Sequence, residues 1–99
     1  MQEVMITEVQ VIPIKPVNGL VGFASVVFNG CLYLGSIGIF TRPEGGYRLT
    51  YPTRKTGIAN INIFYPIRKE TAAILEKVVI EKFEEVMNPY GRHNKAHIE

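Results

Sequence analysis

The side chains whose chemistry could reach beyond packing are two histidines, one cysteine, and a run of arginines and lysines interleaved with tyrosines. His93 and His97 stand four residues apart, a spacing that on a helix sets two imidazoles on one face, as helical zinc sites do. No third ligand accompanies them, and Pro89 and Gly91 oppose a helix there, so no metal site is predicted. Cys31 has no histidine or carboxylate near it in sequence to generate a thiolate, and its place beside Gly30 in an apolar run predicts a buried, inert thiol. Gly35, Gly38, Gly45 and Gly46 form neither a P-loop nor a dinucleotide-binding pattern. With no Asp in the chain and both histidines in its last seven residues, no acid, base and nucleophile come together. The residues therefore predict neither an enzyme nor a cofactor.

The charge distribution says more than the net +2. Residues 42–69 carry Arg42, Arg48, Arg54, Lys55, Arg68 and Lys69 against Glu44 alone, whereas the segment after them, to residue 88, is acidic. The cations lie close in sequence to Tyr47, Tyr51 and Tyr65, and basic residues among aromatics serve phosphate attraction and base stacking. Arg54 and Lys55, supported by Arg48, Arg68 and Lys69, are the candidate nucleic-acid-binding residues. Arg68 and Lys69 precede a helical pattern, where positive charge opposes the macrodipole and strengthens the attraction for an anion. The competing assignment of each is plain solvent exposure, and Tyr47, Leu49 and Tyr51 are expected to face the core.

These residues need elements to hold them. Glu3 to Ile14 has strand composition and is expected to end where Pro13 and Pro16 remove backbone donors. After Asn18-Gly19, the runs Leu20 to Phe28 and Cys31 to Phe40 are divided by Asn29-Gly30, the strongest short-range hairpin signal. Arg42 to Gly46 is turn chemistry. Tyr47 to Tyr51 then alternates as a fourth strand, with Arg48 and Thr50 on the face opposite Tyr47, Leu49 and Tyr51. Thr53 to Asn60, poor in apolar residues, predicts an exposed loop, and Ile61 to Tyr65 a fifth strand closed by Pro66. From Lys69 to Met87 the period becomes helical, with Ala72, Leu75, Val79, Phe83 and Val86 on one stripe, until Asn88-Pro89 stops it.

Ninety-nine residues with 46% hydrophobic content suit one domain. We expect it to span residues 1–88, followed by a polar tail, 89–99. The expected class is α+β, a mainly antiparallel sheet of about five strands with one C-terminal amphipathic helix. No apolar run reaches the length of a membrane span, and no signal-like segment opens the chain. One cysteine cannot form an internal disulfide, so a reducing cytoplasm is expected.

An ordered series of segments resembles the SpoVG family of bacterial septation proteins. It runs from Ile6-Thr7-Glu8-Val9 through Phe23-Ala24-Ser25-Val26-Val27-Phe28 to Ser36-Ile37-Gly38-Ile39-Phe40. Its most specific part is Gly46-Tyr47-Arg48-Leu49-Thr50-Tyr51-Pro52-Thr53-Arg54-Lys55, followed by Asn62-Ile63-Phe64-Tyr65-Pro66-Ile67. Ser36 and Gly38 stand where the family tends to carry Asp and Arg, and Tyr65 where it carries His. The resemblance implies a small homodimeric α/β protein, a cytoplasmic regulator of septation, sporulation and gene expression that binds DNA and in some members RNA. The alternative is a protein-interaction module that meets a partner of the division machinery through a sheet edge or the acidic helix face.

Overall fold

In the computed structural model, which describes residues 3–88, the elements run β1 (Ile6–Val17), β2 (Leu20–Phe28), β3 (Leu32–Thr41), β4 (Tyr47–Thr50), β5 (Thr53–Thr56), β6 (Ala59–Asn62) and α1 (Lys69–Met87). The first four strands form an antiparallel sheet in the order β1-β2-β3-β4, while β5 and β6 form a separate two-stranded hairpin. The fold is α+β, with one helix on one face of the sheet.

Asn18 and Gly19, with φ of 51° and 89°, turn β1 into β2, and the positive φ at both positions is what a type I′ hairpin turn requires. At the next turn Asn29 ties back to the start of β1: its N–H donates to the Met5 carbonyl at 2.7 Å and its Oδ1 accepts from the Met5 N–H at 2.7 Å. Cys31 lies in this turn, exposed, its Sγ 3.6 Å from the Phe28 carbonyl oxygen. The expectation of a buried thiol is therefore corrected, because the turn takes one residue more than Asn29-Gly30 and keeps Cys31 out of β3.

β1 also runs three residues beyond the expected end, through Pro13 and Pro16 to Val17. As an edge strand it pairs on one side only, so a missing proline donor can face outward without breaking the ladder. A bulge between Thr7 and Gln10, with Glu8 at φ 50°, changes which side chains face inward. Ile6, Val9 and Val11 then pack against the core although strict alternation would divide them between two faces. A second irregularity, between Ala24 and Val26, places Ser36 at φ 61°.

The core is Ala24 and Val26 of β2, Ile37 and Ile39 of β3, Leu49 of β4, and Leu75, Val79 and Phe83 of α1. The helical residues recur at four-residue steps, so they form one stripe along the helix. Val86, also assigned to that stripe, is 40% exposed, because the contact ends at Phe83. Gly22 lets the sheet accept this helix: a Cβ there would stand 3.1 Å from the Phe83 ring and 3.0 Å from the Ile12 carbonyl oxygen. Phe83 also meets the Tyr47 ring edge to face at 5.2 Å between centroids.

The segment expected as a loop, Thr53 to Asn60, and the strand expected at Ile61 to Tyr65 are both corrected. Thr53–Thr56 pairs with Ala59–Asn62 around Gly57 and Ile58, and among the described residues nothing beyond Asn62 is strand. Gly57, at φ 55°, occupies the first central position of this two-residue turn, where a type II′ turn takes glycine. The Ile63 N–H donates to the Pro52 carbonyl at 3.0 Å and closes the base of the hairpin. Every residue of β5 and β6 is exposed.

Candidate nucleic-acid interface

Of the five basic residues singled out in the sequence, Arg54 and Lys55 stand in the middle of β5, on the exposed hairpin. The register pairs Arg54 with Ile61 and Lys55 with Asn60. Cross-strand partners share a face and neighbours along a strand do not. Arg54 therefore lies on a face with Thr56, Ala59 and Ile61, and Lys55 on the other with Thr53, Asn60 and Asn62. The two charges are adjacent in sequence but present opposite sides of one thin ribbon.

Arg48 is placed differently again. Its neighbour Leu49 is buried in the core, so Arg48 projects from the sheet face that α1 does not cover, with its guanidinium carbon 4.8 Å from the centre of the Phe40 ring. Arg68 is the N-cap of α1 and Lys69 its first residue, both exposed, on the side of the sheet where the helix lies. The Arg68 side chain makes no capping bond, and its carbonyl accepts the Ala72 N–H at 3.0 Å. The five cations thus occupy the hairpin, the open sheet face and the helix start. They share no single surface of one protomer.

None of the five is neutralised within the described residues, where the ion pairs are Arg42–Glu44 at 3.6 Å and Lys82–Glu85 at 3.7 Å. The expected inward orientation of Tyr47, Leu49 and Tyr51 holds: Leu49 is in the core and both tyrosines pack against it. Tyr51 meets Phe64 edge to face at 6.1 Å, and its hydroxyl is buried without a hydrogen-bond partner among the described residues. Burial first, and the negative charge of Glu76 second, push its pKa up to about 12.

Among the described residues, no group of three or more His, Cys, Asp or Glu side chains gathers as a metal site would require. His93 and His97 lie outside those residues. No helix among them is long and apolar enough to cross a membrane. Sequence reasoning did not single out the apolar groove of about 1130 Å³ beside the helix start, lined in part by Phe28, Leu32, Leu34, Phe64, Ile67 and Ile74. Its walls come from segments distant in sequence, so no local pattern announces it.

An open four-stranded sheet, one helix and a charged two-stranded hairpin define a small α+β domain. Residues 4–85 match the SpoVG family, and the chain belongs to it. Proteins named "Putative septation protein SpoVG" are similar over most of their own length. The one from Phytoplasma australiense is 30% identical over 84% of this chain and 86% of its own. The Treponema denticola protein is 32% identical over 80% of this chain and 85% of its own, and that of Caldicellulosiruptor bescii 31% identical over 84% and 94%.

Proposed function

We propose that this protein is a septation-associated regulator that binds nucleic acid, DNA or RNA, as a homodimer in the cytoplasm, without catalysing a reaction. One observation carries this reading: Arg54 and Lys55 stand unpaired on a fully exposed hairpin. A narrow ribbon with a cation on each side suits a groove, where phosphates flank it on both sides. Arg48, Arg68 and Lys69 extend the basic surface on other faces, and a second copy multiplies the contacts, since two linked weak sites gain about 10²–10⁴ in avidity. The septation role follows the names of the relatives.

Electrophoretic mobility of labelled DNA and RNA across a salt series tests the binding. Arg54→Ala with Lys55→Ala should weaken it and lower the magnitude of the log affinity against log salt slope by roughly 0.7–0.9 per lost contact, or up to twice that for a dimer. Because the side chains face apart, each single substitution should give about half the effect if the ribbon enters a groove. Unchanged affinity and slope in the double variant, with a native circular dichroism spectrum, would remove both residues from the site.

A second reading is an interaction module that takes an apolar segment of a division protein into the groove beside the helix start, where Leu32, Tyr65, Ile67 and Ile74 are exposed. Such a complex would hold at high salt, whereas a nucleic-acid complex would dissociate.

A further inference from the structure

The sheet face opposite α1 carries a second feature that neither the hairpin nor the family match accounts for. The register aligns Ile12, Phe23, Gly38 and Thr50 across the four strands, and Phe40 with Arg48 in the next row. Gln10 pairs with Ser25, and Tyr33 with Val27, on the same face. Phe23 is 39% exposed and Tyr33 73%. With Gln10, Ile12, Ser25 and Ser36 they line a shallow depression of about 380 Å³. Among the described residues no carboxylate lines it. Gly38 keeps the surface beside Phe23 low, since a Cβ there would come within 2.6 Å of Thr50 Oγ1.

We propose that this open face is a nucleobase platform for single-stranded nucleic acid, with bases stacked on Tyr33 and Phe23 and a phosphate held by Arg48. The inference rests on the nucleic-acid reading above and adds to it a single-stranded segment, bound on a face separate from the hairpin that a groove would receive. Aromatic rings on an exposed sheet can stack only on bases that are free of a duplex. The Gln10 amide and the Ser25 and Ser36 hydroxyls can meet base edges as donors or acceptors. Arg48 on Phe40 supplies the charge at one side. A second protein chain suits the face less well, because Thr7, Gln10, Ser25 and Thr50 interrupt its apolar residues, whereas the core of a stable interface is continuous and depleted in such groups.

The test is fluorescence anisotropy with a labelled oligonucleotide as single-stranded RNA, single-stranded DNA and duplex, using the full chain and the variants Tyr33→Ala, Tyr33→Phe and Phe23→Ala. At least one single strand should bind more tightly than the duplex. Tyr33→Ala and Phe23→Ala should each weaken single-strand binding by roughly 5- to 150-fold, the usual worth of one stacked base, with the salt slope unchanged because no phosphate contact is lost. Tyr33→Phe should retain the affinity. Tyr33 is exposed, so its variants should keep the native circular dichroism spectrum. Wild-type binding that Tyr33→Ala and Phe23→Ala leave unchanged overturns the platform while the hairpin reading survives. A duplex bound at least as tightly as both single strands does the same, as does loss of a dimer on Tyr33→Ala with binding intact, which would give the face to a second copy. No binding of any nucleic acid by the wild type overturns both.

Discussion

Tyr51 shows what a single hydroxyl does to this domain. Its ring is well used, packed against the core and edge to face with Phe64, but its oxygen is buried with no partner among the described residues. A buried donor without a bond costs about 1–3 kcal/mol, so Tyr51→Phe, which keeps the ring and removes the orphan, should raise unfolding stability by about 1 kcal/mol in urea titrations. The pH dependence adds a second readout. With its folded pKa pushed up to about 12 from an ordinary 10.0, the unfolded chain releases this proton first, so the wild type loses stability as pH rises from about 10 toward 12. Tyr51→Phe lacks that loss, and the gap between the two proteins should widen between about pH 8 and pH 11. A constant gap would show that the hydroxyl reaches water. At this scale the sequence shows that Arg48 and Tyr51 face opposite sides of the sheet, since alternation through β4 and the residue after it separates them. It conceals the missing hydroxyl partner, which depends on neighbours far along the chain.

Among the elements, the helix was the most legible because its stripe must satisfy one period over many turns, and its predicted ends at Lys69 and Met87 match the structure. Leu75, Val79 and Phe83 are its buried residues. Phe83 is the anchor, 1% exposed, touching Tyr47 and seated over the space that Gly22 leaves. Phe83→Ala should therefore cost on the order of 3–5 kcal/mol in urea unfolding, and a loss below about 1 kcal/mol would show that the helix contributes little to the core. The hairpin was illegible for the opposite reason. Neither face of β5–β6 is buried, so no alternation of apolar and polar residues marks it, and Thr53 to Asn60 has a loop's composition. Arg54 and Lys55 were legible as residues. That they point apart was not, since it follows only once the segment is known to be a strand. Prolines 13 and 16 misled in a related way: they end a central strand but not an edge strand, and strand order is not written locally.

For the whole molecule, the apolar surface left uncovered argues for a second copy. One helix stripe covers a four-stranded sheet on one face, the groove beside the helix start stays open, and Ile58, Ile61 and Ile67 are exposed on and after the hairpin. A lone two-stranded hairpin is marginal in water, so β5–β6 gains most from packing on something outside its own protomer. A two-fold pairing that covers both grooves is closed and self-limiting, and a stable interface of ordinary size needs about 800 Å² from each partner. Light scattering at tens of micromolar should return twice the 11.1 kDa of one chain. Ile67→Glu, at a residue that lines the groove, should shift the mass toward one chain while circular dichroism stays native, because that side chain is 86% exposed. Tyr33→Ala, on the far face of the sheet, should leave the mass at two chains. Since the contact is apolar, the dimer should persist at salt concentrations that dissociate nucleic acid, which separates the two kinds of association in one titration. A single-chain mass for the wild type would end this argument, and the avidity assigned to paired hairpins would go with it.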